Sequence, residues 1–205
     1  MPELIVVAGA NGSGKSSLTK LSALQLPVID PDAIAREISP DRPESVALLA
    51  GREALTRSKE YMRSNCSFAT ETTLAGNTYL NLIREVKKLG WHASLIYVGI
   101  DDPETNIQRV KSRVKLGGHN VPTEDILRRY DRSLANLSKA AKIVDRLTFY
   151  DNSTNAGHQL VATIENNQTI IYIEELPRWV DRAKQIAVRN TASIQKSTII
   201  DVDRI

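Results

Sequence analysis

The 205-residue chain has a single cysteine, Cys66, which excludes an intrachain disulfide and a multi-cysteine metal cluster. Aromatic residues make up only 5%, and no stacking platform accompanies the basic residues, which argues against a nucleic-acid binder. No segment approaches the roughly 20 apolar residues of a membrane span. The start, Met1-Pro2-Glu3 followed only by Leu4–Ala8, lacks the basic and long apolar stretches of an export signal. Internal repeats and low-complexity tracts are also missing. The reading is a cytoplasmic protein with neither membrane nor nucleic acid as partner. Hydrophobic residues at 41% and charged residues at 25% are ordinary for a globular chain. At this length about 70% of the unfolded surface can be buried without a staple. Asn65-Cys66-Ser67-Phe68 reads as a strand entry with the thiol buried as a small hydrophobe.

Lys and Arg number 27 against 24 Asp and Glu, a net charge of +3. The excess is local. Between Arg109 and Arg132, seven bases (Arg109, Lys111, Arg113, Lys115, Arg128, Arg129, Arg132) stand against three acids (Glu124, Asp125, Asp131), a balance of +4.

Leu4–Ala8 has the pattern of a central parallel strand, and a helix is expected over Ser16–Gln25. Val28-Ile29 is a second strand with Asp30-Pro31-Asp32 at its carboxyl end. Pro43 opens a helix to about Asn65, with Val46, Leu49, the Arg52 stem, Leu55 and Met62 inward. Phe68–Thr72 follows as a strand. Tyr79, Leu82, Ile83 and Val86 recur at helical spacing before Gly90. Ala93–Ile100 is a strand, and Asp102-Pro103-Glu104 starts a helix to about Lys115. Gly117-Gly118 interrupts it, Thr123 caps the next helix, and Arg146–Tyr150 is a strand. Gln159–Ile164 and Thr169–Glu174 form a hairpin, and Pro177 starts a last helix. Strands alternating with helices imply an α/β fold with a mainly parallel sheet. The expected division is a single α/β domain over 1–188 and a loosely attached tail over 189–205.

Gly9-Ala10-Asn11-Gly12-Ser13-Gly14-Lys15-Ser16 matches G-x-x-x-x-G-K-[ST] and sits between an apolar strand and a helix. Backbone N–H groups of Gly9, Asn11, Gly12, Ser13, Gly14, Lys15, Ser16 and Ser17 can cradle phosphates at the positive helix end. Lys15 places its charge on the β/γ-phosphates, and the Ser16 hydroxyl ligates Mg²⁺. ATP and Mg²⁺ are the expected cofactors.

Transfer to an acceptor other than water needs a base, a group holding the acceptor, and cations over the phosphoryl. Asp30 and Asp32 lie at the strand edge that faces the ligand crevice in open α/β sheets, although Asp32 as a helix cap accounts for the same residues. Glu71, Thr72 and Thr73 lie at the same edge and suit a polar acceptor. Arg109 and Arg113 share a helix face, and Arg128, Arg129 and Arg132 stand on a helix whose inward stripe is Ile126, Tyr130, Leu134 and Leu137. Joined by a Gly-Gly hinge, the two helices form a lid that would bring guanidinium groups to the γ-phosphate.

These residues together resemble the zeta toxin family of P-loop kinases. The likeness runs from Leu4 to Trp179 through the cradle, Ile29-Asp30-Pro31-Asp32, Glu71-Thr72-Thr73, Leu95–Gly99 and Arg109–Leu137. It implies a nucleotide-kinase-like fold, phosphorylation of a sugar hydroxyl of a UDP-N-acetyl-hexosamine, and an antitoxin as partner. It also implies Asp32 as base, Glu71 and Thr73 as substrate contacts, and lid arginines as transition-state clamps. Where larger members carry a second lid arginine this chain has His119, so Arg109, Arg113 and Arg129 all stand as clamp candidates. Two other readings compete: a housekeeping kinase of another small hydroxylated metabolite or nucleotide, and a nucleotide-gated binding protein. A switch of the latter kind needs no acceptor base facing the cradle.

Overall fold

The computed structural model describes residues 1–22, 25–118 and 120–187. The elements are β1 (Glu3–Ala8), α1 (Lys15–Leu21), β2 (Val28–Ile29), α2 (Pro31–Ile38) and, after a 3-10 turn at Pro43–Val46, α3 (Ala47–Arg63). There follow β3 (Phe68–Thr72), α4 (Thr78–Lys88), β4 (His92–Gly99), α5 (Pro103–Lys115) and α6 (Thr123–Ala140). The chain continues through β5 (Arg146–Asp151), β6 (Gln159–Glu165), β7 (Gln168–Ile171) and α7 (Arg178–Ala187). His119 and the expected tail over 189–205 lie outside the described residues.

One seven-stranded sheet runs in the order β2-β3-β1-β4-β5-β6-β7, its first five strands parallel and the final two antiparallel. Leu4, Val6, Phe68 and Leu95 are fully buried, as expected for strands covered on both faces. The register sets Ala8 level with Thr72 on one side and Tyr97 on the other. The loops after β1 and β3 therefore leave the sheet side by side, and Asp30 leaves β2 at the same edge. This is the edge where open α/β sheets bind ligands. Asn166 and Asn167, at φ 50° and 61°, make the two-residue hairpin turn that antiparallel twist favours. Buried Trp179 fixes α7 to the sheet: its ring packs on Tyr97 and Phe149, and its Nε1 donates to Asp151 Oδ1 at 2.8 Å. Among the described residues, no helix is long and apolar enough to cross a membrane.

Four local expectations are corrected. The buried stripe of α3 is Ala50, Ala54 and Ser58, while Leu49 is 52% exposed. Small side chains let α3 lie close to α2, and that turns Arg52 and Leu55 toward the cleft described below. Cys66 is exposed. Asn65 takes a left-handed φ of 54°, and the bonds Asn65 N–H to Met62 O and Cys66 N–H to Tyr61 O close α3. Cys66 thus belongs to a helix stop, and the strand's burial begins at Phe68. Helix α6 starts one residue earlier than a Thr123 cap would place it, since Pro122 O already accepts from Ile126 N–H. The hairpin's second strand ends at Ile171, short of Glu174.

Candidate active site

The Gly9–Ser16 loop connects β1 to α1, and Gly14 is the N-cap residue of α1. Gly12 and Gly14 take φ of 77° and 96°, a region that favours glycine. A Cβ at Gly12 would lie 2.6 Å from Asn106 O, and one at Gly14 would meet the Asn152 amide and the His158 ring. The cradle is therefore pressed into shape from outside. Asn106 Nδ2 of α5 donates to Asn11 O at 2.6 Å, Asn152 Nδ2 donates to Ser13 O at 2.8 Å, and His158 Nε2 lies 3.0 Å from Gly14 O. These three residues carry no motif. Only the position of Asn152, just beyond a strand at the ligand edge, could have signalled a role.

Lys15 Nζ donates to the carbonyls of Gly9 at 2.7 Å and Ala10 at 3.0 Å. Burial pushes its pKa down, aided by Arg113, against the upward pull of Glu71, Asp32 and Asp30. Ser16 Oγ donates to Glu71 Oε2 at 2.7 Å, and Glu71 is buried. Among the described residues, no group of three or more His, Cys, Asp or Glu could hold a metal. Mg²⁺, however, needs only one or two protein oxygens beside phosphates and water. The hard-oxygen pair of Ser16 and Glu71 fits that demand.

Asp30, not Asp32, caps α2: its Oδ1 accepts from Asp32 N–H at 2.9 Å. Relieved of capping, Asp32 is exposed and lines the cleft. Burial raises the Asp30 pKa from the ordinary 3.8, with the charges of Glu71 and Asp32 adding to it, against its cap bond and Arg36. The folded state thus holds this proton more tightly than the unfolded chain. Between 3.8 and the raised value stability falls as pH rises, and above it the cost of the ionised carboxyl stays in full. Asn caps as well as Asp without the charge. Asp30→Asn is expected to melt higher than the parent at pH 7, with the gap closing toward pH 4. A lower melting temperature at pH 7 would contradict this, and thermal melts from pH 4 to 8 decide it.

Beyond β3 the chain turns sharply. Leu74, fully buried, takes a left-handed φ of 57°, a conformation costing a non-glycine residue about 1–3 kcal/mol. Its N–H donates to Thr72 Oγ1 at 3.0 Å. This turn sets Thr73 beside Glu71 on the cleft wall. Tyr79 lines the same wall with its hydroxyl pKa raised by burial, against a hydrogen bond with Thr70. Leu48, Gly51, Arg52 and Leu55 of α3 complete that side.

The result is one cleft of about 720 Å³ bounded by the cradle, Asp30, Asp32, Glu71 and Thr73, and by four arginines, Arg52 of α3 among them. Of the seven bases in the basic segment, Arg109, Arg113 and Arg129 line it, whereas Lys111, Lys115, Arg128 and Arg132 are exposed elsewhere. Arg109 Nη2 donates to Thr154 O at 3.3 Å, and Arg129 Nη1 donates to Asn11 Oδ1 at 3.2 Å. Arg113 is the arginine whose charge acts on Lys15. The expected Gly-Gly hinge is a helix stop. Gly117 N–H donates to Val114 O and Gly118 N–H to Arg113 O, with Gly118 against the Arg113 stem. Asn106, on the same helix as Arg113, is tied to the cradle as well. Buried Ser13 Oγ and Arg109 Nη1 have no hydrogen-bond partner among the described residues, which suits a ligand rich in acceptor oxygens.

A protein of Haemophilus influenzae with no assigned function is 38% identical over 128 residues, covering 62% of this chain and 91% of its own. The AvrRxo1-ORF1–ORF2 complex with ATP superposes with a TM-score of 0.68 at 13% identity, covering 95% of this chain and 66% of that one. A structure from the PezAT toxin–antitoxin system of Streptococcus pneumoniae gives 0.61 at 14%, covering 94% and 80%. At such identities the structures establish the shared fold. The zeta toxin family model matches residues 1–172. The chain is a phosphotransferase on the P-loop kinase fold, and it belongs to the zeta toxin family.

Proposed function

We propose that this phosphotransferase moves the γ-phosphoryl of ATP to a sugar hydroxyl of a UDP-N-acetyl-hexosamine. The observation that carries the reading is the shared cleft, where Asp32 and Thr73 line the same space as Lys15 and as Ser16 with its bonded partner Glu71, leaving room for a second substrate. A nucleotide switch would have no use for this acid-lined half. Asp32 accepts the hydroxyl proton as the phosphoryl arrives. Glu71 and Thr73 hold the sugar by hydrogen bonds. Ser16 and Glu71 would hold Mg²⁺, which supplies neutralising charge at the β- and γ-phosphates. Lys15 and Arg113 bring fixed positive charge to the transferring group, where a preorganised donor counts for more than in water. Family membership and the likeness to a PezAT structure support an antitoxin as partner.

Mass spectrometry of a metabolite extract incubated with protein and ATP tests the acceptor. A UDP-N-acetyl-hexosamine gaining one phosphate is expected. A different species gaining it would turn the assignment to another small-molecule kinase. Arg113→Ala is expected to lower turnover about 10³-fold while shifting ATP affinity far less, as read by steady-state kinetics and nucleotide titration. Small, equal losses at Arg109, Arg113 and Arg129 would mark the three as a solvated face.

A further inference from the structure

We infer that Asn136 is a positioning residue for phosphoryl transfer: its buried amide holds the left-handed turn at Leu74 that sets Thr73 on the acceptor wall. Asn136 stands on α6, outside the residues that line the cleft. Its Nδ2 donates to Leu74 O at 2.9 Å and reaches Gly76 O at 3.5 Å. Its Oδ1 accepts from Lys139 Nζ at 3.0 Å, which fixes the direction of the amide. Every polar atom of the side chain is therefore assigned, and the side chain is buried.

The turn needs such a hold. Leucine at positive φ is disfavoured, and a buried leucine there is kept only when its surroundings over-determine it. Two bonds do so from opposite sides: Thr72 Oγ1 takes the Leu74 N–H, and Asn136 takes the Leu74 carbonyl. Thr73 lies between these anchors, and Gly76, Thr78 and Tyr79 on the same cleft wall follow directly. Seven residues before Asn136 on the same helix, Arg129 bonds Asn11 of the cradle. One rigid helix thus ties the acceptor wall to the phosphate cradle. A 1 Å misplacement of a reacting group costs about 10²-fold in rate.

The inference rests on the acceptor side proposed above, and its test separates the two. Asn136→Ala removes the hold, and Asn136→Asp sets a carboxylate against two carbonyl oxygens. Steady-state kinetics with ATP and UDP-N-acetylglucosamine should show kcat/KM for the sugar nucleotide down about 10²-fold in both variants, with KM for ATP unchanged. Amide exchange read by mass spectrometry should show faster exchange over residues 72–78 and unchanged exchange over 9–17. If the parent does not turn over UDP-N-acetylglucosamine, the acceptor assignment falls, and the exchange experiment alone judges Asn136. Unchanged exchange over 72–78 in both variants overturns the inference, as does a KM for ATP that rises together with the loss for the sugar nucleotide.

Discussion

Replacing Lys15 with alanine is expected to abolish phosphoryl transfer. Among the described residues the ammonium is the only lysine charge on the cleft wall, and it is held by the Gly9 and Ala10 carbonyls at the floor of the cradle. A unit charge about 4 Å from a phosphate oxygen, at an effective dielectric near 20, is worth about 4 kcal/mol. That corresponds to roughly 10³-fold in rate if it acts mainly on the transition state. The alanine variant also loses two ties that shape the loop, so ATP affinity falls along with turnover. Burial sets a further expectation: because the Lys15 pKa is lowered from 10.5, activity is lost on the alkaline side earlier than an ordinary lysine would allow. The ammonium form is present below that lowered value and disappears as pH rises through it. ATP titration and a rate profile up to pH 10 measure both effects. Near-native transfer by Lys15→Ala would remove the cradle from the chemistry and with it the whole reading of the cleft.

The elements that could be read from sequence are those whose signal is local. The stretch Leu4–Ala8 is a strand because it is a short, apolar run, and Asp102 caps α5 because acid, Pro and acid stand in order at its start. The stripe Ile126, Tyr130, Leu134 and Leu137 is buried as its spacing requires. The cradle follows from its motif. What spacing could not supply were contacts between distant segments. Asn106 and Asn152 reach the cradle from 95 and 139 residues away, and nothing beside them in the chain marks them. The inward face of α3 was misjudged because Leu49 outweighs alanine on any hydropathy scale, yet close packing against α2 selects Ala50 and Ala54. Cys66 departs from its local pattern for a related reason: an asparagine in the left-handed region lets the helix stop extend into what reads as strand. The two acids at β2 are told apart only in three dimensions, where Asp30 takes the cap and Asp32 is left exposed on the cleft wall.

That division sharpens the expectation for Asp32→Asn, a rate loss of about 10²–10⁴-fold, the range of general-base catalysis. The substitution is nearly isosteric, and the cap of α2 uses only the backbone N–H of residue 32, bonded to Asp30. The helix start is therefore untouched, and melting temperature and ATP binding should stay close to the parent. What disappears is the carboxylate that the cleft presents to the acceptor hydroxyl. Lys15 meanwhile loses one of three acids that favour its charge, with Glu71 and Asp30 remaining. A slow step at Asp32 should thus show as lower kcat with the ATP KM little changed. If expression of the parent arrests growth of its host, the variant at equal expression should relieve the arrest. A folded Asp32→Asn protein with the parental turnover rate would take Asp32 out of the mechanism. The proton would then have to leave toward Glu71, whose carboxylate already accepts the Ser16 hydroxyl, or toward Asp30, already engaged as the cap.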